Sequence, residues 1–153
     1  MGLSMITIFN CMKNTYQFSV RQTIILWDFI GQYSNTPDGK WLKEVDHKSF
    51  TYLWKMDLEG GDIQAIRPFI GKAIILQPQN GNPDYWVKVI APAVIHELRH
   101  VWQQKSKGWL LYKLQVAGSR IMHLFSNELY QKYDLEEDAF YHQEKSKILL
   151  GNI

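Results

Sequence analysis

The stretch Val94-Ile-His-Glu-Leu-Arg-His-Val-Trp-Gln-Gln104 sets two histidines four residues apart, with a glutamate directly after the first. On a helix, at about 100° per residue, His96 and His100 fall about 40° apart on one face, one turn above the other. Two imidazoles so placed can meet one metal ion at tetrahedral angles. Glu97 projects about 100° round from His96, so it does not easily join the same ligand set, yet it reaches a water held by the ion. That is the place of a general base. The HExxH order thus supplies ligand, base and ligand for Zn2+.

Val94, Ile95, Leu98, Val101 and Trp102 fall within one arc of about 120°, and His96, His100, Gln103 and Gln104 occupy the opposite side. The histidines therefore face a cleft or bulk water. A solvated polar face on an ordinary helix gives the same pattern, and a third ligand separates the two readings. The extended form HExxHxxGxxH is excluded, because Gln103 and Ser106 stand where it needs Gly and His.

A glutamate from a later helix is the remaining route, and Tyr133-Asp-Leu-Glu-Glu-Asp-Ala-Phe140 offers two. Asp134 and Glu137 match a capping box, which gives Glu137 a structural role at a helix start. Glu136 shares its face with Ala139, Phe140 and Gln143, and an inward carboxylate needs a partner. Glu136 is the preferred third ligand and Glu137 the second choice, followed by His123, His142 or no third ligand. The competing partners for Glu136 are Arg99, Arg120 and solvent.

Outward from the motif, Lys72–Gln77 (KAIILQ) is a β-rich run stopped by Pro78 and the loop-forming QNGNP. From about Asp84 to about Ser106 the pattern is helical, with Pro92 either kinking the helix or, the preferred option, sitting in its first turn, which starts the helix just before His96. Residues 16–33 read as an amphipathic helix, SNTPDGK as a turn, 41–58 as mostly helical, and 62–69 as a short segment after a turn at Gly60-Gly61. Gly108 separates the motif helix from a further helix over 109–125. A connection or another short helix over 127–133 then leads to a last helix from Asp134 towards Leu150. The fold class is α+β, mostly helical, with a small sheet ahead of the motif helix. One domain over 1–153 is expected, with an N-terminal helical part (1–69) and a metal-site core (70–150).

The composition is globular: 153 residues, 46% hydrophobic and 21% charged, which is enough to enclose a core without metal or disulfide staples. A metal here would be functional. The net charge of +2 is spread along the chain, so no nucleic-acid or membrane footprint stands out. The single cysteine, Cys11, excludes an internal disulfide and favours a reducing compartment. The apolar run near the N-terminus lacks the flanks of a signal peptide, and the other runs fall short of a membrane span, so a cytoplasmic protein is expected. Trp41, Trp54, Trp86, Trp102 and Trp109 read as core or cleft walls, His47 and His142 as surface residues.

HELRHVWQQ followed by a helix containing Glu136-Glu-Asp-Ala139 resembles the small zincin-like metallopeptidases of the gluzincin type, over roughly residues 70 to 145. The resemblance implies a zincin-like core, His96, His100 and Glu136 as zinc ligands, Glu97 as general base, and a peptide or protein substrate. It also implies that the strand Ala73–Gln77 lines the cleft and pairs with extended substrate. In several gluzincins an Asp after the alanine supports a histidine ligand. Phe140 takes that place here, so support must come from elsewhere, with Asp138 or a backbone carbonyl as candidates. No oxyanion donor is assigned; Tyr130, Tyr133, His123 and Arg120 are available. The alternative is a catalytically inactive zincin-like metal-binding or interaction module.

Overall fold

The computed structural model describes residues 15–55, 65–66, 73–76, 83–108, 110–114, 117–118, 121 and 134–152. The expectations for Cys11 and the N-terminal run, the Gly60-Gly61 turn, Trp109, Arg120, His123, the 127–133 connection, Tyr130 and Tyr133 lie outside the described residues. So do the side chains of Trp86 and Asp134. Of the helix expected over 109–125, residues 110–114, 117–118 and 121 are described, and all are helical. The protein is α+β and mostly helical, as its sequence predicts.

Strand β1 (Thr15–Gln17) precedes helix α1 (Val20–Ser34). The helix therefore starts later than the periodicity suggests, because Ser19 and Gln22 form a capping box. Gln22 N donates to Ser19 Oγ at 3.1 Å, and Ser19 N donates to Gln22 Oε1 at 3.0 Å. The two bonds satisfy amides that have no partner within the helix. Leu26, Phe29, Ile30 and Tyr33 form the buried stripe of α1. The turn that follows tightens into a 3-10 helix, Pro37–Glu44, capped by Thr36 and burying Trp41 and Leu42. Gly39 makes this packing possible: a Cβ there would lie 1.9 Å from the Tyr33 carbonyl oxygen.

Residues 41–58 are not mostly helical. After a second 3-10 turn, His47–Ser49, the chain forms strand β2 (Thr51–Lys55), where the β-branched and aromatic run TYLWK follows its own preference. Strands β3 (Ala65–Ile66) and β4 (Ala73–Leu76) complete a four-stranded sheet of order β1-β2-β4-β3. β4 runs parallel to β2, with Leu53 opposite Ile75 and Trp54 opposite Leu76. On its other side it pairs antiparallel with β3 at Ile75 and Leu76. Ile74, Ile75 and Leu76 are fully buried, as expected for a strand covered on both faces. β4 is thus an interior strand, and at Ile75 and Leu76 its second edge is taken by β3, not left for an extended ligand.

Helix α2 (Pro83–Lys107) carries the two-histidine motif and starts well before Pro92, which lies inside it. Proline cannot donate to the carbonyl of Lys88, and such an interior position costs about 3 kcal/mol. The helix continues through it because Val87, Ile90, Ala91, Val94, Ile95 and Leu98 are all fully buried, and each buried aliphatic side chain contributes about 1.5–3 kcal/mol. It ends at Gly108, whose φ of 82° is the left-handed cap geometry that favours glycine. α2 packs against α1, β3, β4 and helix α3 (Asp134–Lys147). Among the described residues, a buried hydrophobic cluster joins α1, the first 3-10 helix, β2, β4 and α2. No described helix is long and apolar enough to cross a membrane.

Candidate metal centre

Leu135, Ala139, His142 and Ser146 form the buried face of α3. Packing that face onto α2 brings Glu136 to the two histidines. His96 Nε2 lies 3.2 Å from His100 Nε2 and 3.3 Å from Glu136 Oε2, and His100 Nε2 lies 3.0 Å from Glu136 Oε1. The three side chains are only 10–12% exposed. The histidines look neither into bulk water nor into the main core; they face α3.

These separations fit a metal ion. Four donors about 2.0–2.1 Å from a tetrahedral Zn2+ sit about 3.3 Å from one another, and the three here stand at nearly that spacing. Two imidazole nitrogens and a carboxylate oxygen are also a common donor set for Zn2+. Among the described residues, His96, His100 and Glu136 form a group able to hold a metal ion.

Burial pushes the Glu136 carboxyl up, but hydrogen bonds to His100 and His96, and their charge, outweigh it and hold Glu136 well below the usual carboxylate range. Burial likewise pushes His100 down. Glu136, the charge of Glu97 and a hydrogen bond to Gln103 prevail and raise it. Both shifts favour the charged form of the group concerned, so the carboxylate of Glu136 and the ring of His100 stabilise each other.

Glu97 is half-buried and close enough for its charge to act on His100, but it does not belong to the ligand group. Glu137 is exposed on α3, so the structure brings Glu136 and not its neighbour to the histidines. The capping box that separates the two in sequence involves the Asp134 side chain and lies outside the described residues. Arg99, a competing partner for Glu136, instead forms a bidentate pair with Asp138, Nε to Oδ2 at 2.6 Å and Nη2 to Oδ1 at 3.0 Å.

Four features are not legible from residue pattern alone. The His100 ring is supported by Gln103, whose Oε1 lies 2.8 Å from Nδ1; Asp138 holds Gln103 and does not touch the ring. The spacing of three residues on one helix face permits that contact without requiring it. His142 is 6% exposed and not on the surface. Its Nδ1 accepts from Tyr33 Oη at 2.8 Å and from Trp41 Nε1 at 3.2 Å. Burial, then the charge of Arg99, pushes its pKa down to about 4. His47 is half-buried. Finally, Phe140 sets its ring edge-on to His96, centroids 4.5 Å apart. His96 Nδ1 is buried with no hydrogen-bond partner among the described residues.

No protein-family profile, curated protein or solved structure matches the chain.

Proposed function

We propose that the protein is a zinc-dependent hydrolase, most simply a metallopeptidase, with His96, His100 and Glu136 as ligands and Glu97 as general base. The observation that carries this reading is the mutual spacing of the three donor atoms, 3.0 to 3.3 Å, beside a glutamate whose charge reaches His100.

When bound, Zn2+ polarises a scissile carbonyl and makes a water acidic enough to lose a proton near neutral pH. The side chains divide the rest of the work. His96 and His100 offer neutral nitrogens from one helix, and Glu136 adds one negative charge from another, which leaves the ion net positive. Glu97 is in the motif position to take a proton from the attacking water and pass it to the leaving amine. The peptide class comes from the resemblance to gluzincins.

The test is metal analysis and turnover of purified protein against a broad panel of unfolded proteins and peptides. Wild type should carry about one zinc and cleave; Glu97→Gln should keep the zinc and lose turnover; His96→Ala should lose the metal. Protein that takes up no stoichiometric metal would sink the reading at its first step.

One observation favours a second reading, a metal-binding module without catalysis. Phe140 stands where several gluzincins carry a supporting Asp, and His96 Nδ1 has no partner among the described residues. That reading expects one bound zinc and no cleavage of any member of the panel.

A further inference from the structure

We propose that Gln103 is the positioning residue for His100, holding its ring as the Nδ1–H tautomer with the Nε2 lone pair aimed at the ion, and that Asp138 and Arg99 hold Gln103 in turn. This rests on the metal-binding part of the reading above and is independent of whether the site hydrolyses anything.

Gln103 is 1% exposed, and a buried amide must place both its donors and its carbonyl oxygen. Its Nε2 lies 2.9 Å from the Leu135 carbonyl oxygen and 2.8 Å from Asp138 Oδ2. Both neighbours only accept, so the NH2 end belongs there; a flipped amide would set its oxygen against two other oxygens. The carbonyl end is left for His100 Nδ1, at 2.8 Å. Because Gln103 Oε1 cannot donate, His100 Nδ1 must. A neutral imidazole protonated at Nδ1 presents its lone pair at Nε2, the atom 3.0 Å from Glu136 and 3.2 Å from His96 Nε2.

The anchor of this relay is itself held from two sides. Arg99 occupies both oxygens of Asp138. Its guanidinium carbon lies 4.0 Å from the Trp102 ring centroid and 4.9 Å from that of Trp41. Four side chains in line, Arg99, Asp138, Gln103 and His100, thus connect the aromatic packing of α2 to one metal ligand. The other histidine has no such support, since His96 Nδ1 meets no acceptor among the described residues. The two ligands are chemically unequal, and of the two only His100 loses its outer partner when Gln103 is removed.

The experiment is nitrogen-15 NMR of the imidazoles together with zinc affinity by chelator competition, on the full chain as wild type, Gln103→Met and Gln103→Glu. In metal-free wild type at a pH where His100 is neutral, its proton should sit on Nδ1. Gln103→Met keeps the length of the side chain and removes the acceptor. It should mix the tautomers and weaken zinc binding by about 10- to 100-fold, the usual range for losing a ligand's outer partner. Gln103→Glu keeps an acceptor for Nδ1–H but sets a carboxylate against Asp138 and the Leu135 carbonyl. It should retain the tautomer and most of the affinity while lowering thermal stability.

A residue that only glued α2 to α3 would behave otherwise, with the Glu variant losing at least as much affinity as the Met variant. That result, or an Nε2–H tautomer in wild type, overturns the proposal. If Gln103→Met fails to fold, the wild-type tautomer and the Glu variant still decide it. If wild type binds no zinc, the metal-site reading fails separately, and the tautomer still reports on Gln103.

Discussion

Phe140 lies edge-on against His96, ring centroids 4.5 Å apart, and His96 Nδ1 is buried with no acceptor among the described residues. One ligand of the candidate centre therefore lacks the outer hydrogen bond that the other receives from Gln103. Phe140→Asp should supply an acceptor beside His96 and raise zinc affinity by about 10-fold, the low end of what an outer partner contributes. The same change removes aromatic packing, so the metal-free variant should melt earlier. Chelator competition and thermal melts of the stripped protein read the two effects separately.

Glu136→Gln removes the charge that the two histidines hold ionised and should cost more affinity than any change outside the ligand set. It should also abolish stabilisation by zinc. A ligand that binds only the folded state stabilises by RT ln(1 + [L]/Kd), about 2.7 kcal/mol at a hundred times Kd. Thermal melts with and without zinc should therefore separate for wild type and coincide for Glu136→Gln.

The pH dependence of the metal-free protein should carry the mark of His142, pushed down to about 4 by burial and then by Arg99. With a folded pKa below its unfolded value of about 6.5, the unfolded chain binds more protons between those limits. Stability from this group is present above about pH 6.5 and is lost as pH falls towards 4, about 3 kcal/mol in all. Asp138, held low by Arg99 and Gln103 against its burial, adds to the loss at more acidic pH. Denaturant titrations of His142→Gln, which can still accept from Tyr33 and Trp41, should show a flatter profile over this window. An unchanged slope would mean that His142 is not what the acid reaches first.

Much of the centre was legible because a helix repeats: His96, His100 and the apolar arc of Val94, Ile95 and Leu98 follow from 100° per residue alone. The choice of Glu136 over Glu137 rested on the capping box expected to occupy Glu137 and on which face of α3 turns inward, the face that the buried Leu135, Ala139 and Ser146 define. Hydropathy failed where polar residues are buried in pairs. His142 reads as a surface residue until Tyr33 and Trp41, both more than 100 positions away, satisfy its Nδ1. Pro92 misled for the opposite reason, since local chemistry argues for a helix start there and tertiary burial on both sides overrides it. The capping box at Ser19 and Gln22 was present in the sequence and would have corrected the start of α1.

Gly39 sits against the end of α1 with no room for a methyl group, its virtual Cβ 1.9 Å from the Tyr33 carbonyl oxygen. The neighbour is backbone and cannot swing aside. Gly39→Ala must push the 3-10 helix away from α1, and with it Trp41, which donates to His142 and lies beside Arg99. Overpacking of this kind costs about 1–3 kcal/mol, so a lower denaturation midpoint at unchanged slope is expected.

Arg99→Lys is the sharpest test of how the helix pair holds the centre together. Lysine keeps the charge, but it cannot bond both Asp138 oxygens at once or present a flat guanidinium to Trp102 and Trp41. Two effects should follow. Stability should fall by about 2 kcal/mol, from the lost second hydrogen bond and the weakened stacking in a partly desolvated site. Zinc affinity should fall by less than in Gln103→Met, because Asp138 would remain beside Gln103 but less firmly held. Denaturant titration gives the first effect and chelator competition the second. Equal affinity losses in Arg99→Lys and Gln103→Met would mean that Gln103 has no hold on His100 without Arg99. An intact affinity with reduced stability would confine Arg99 to the packing of α2 on α3.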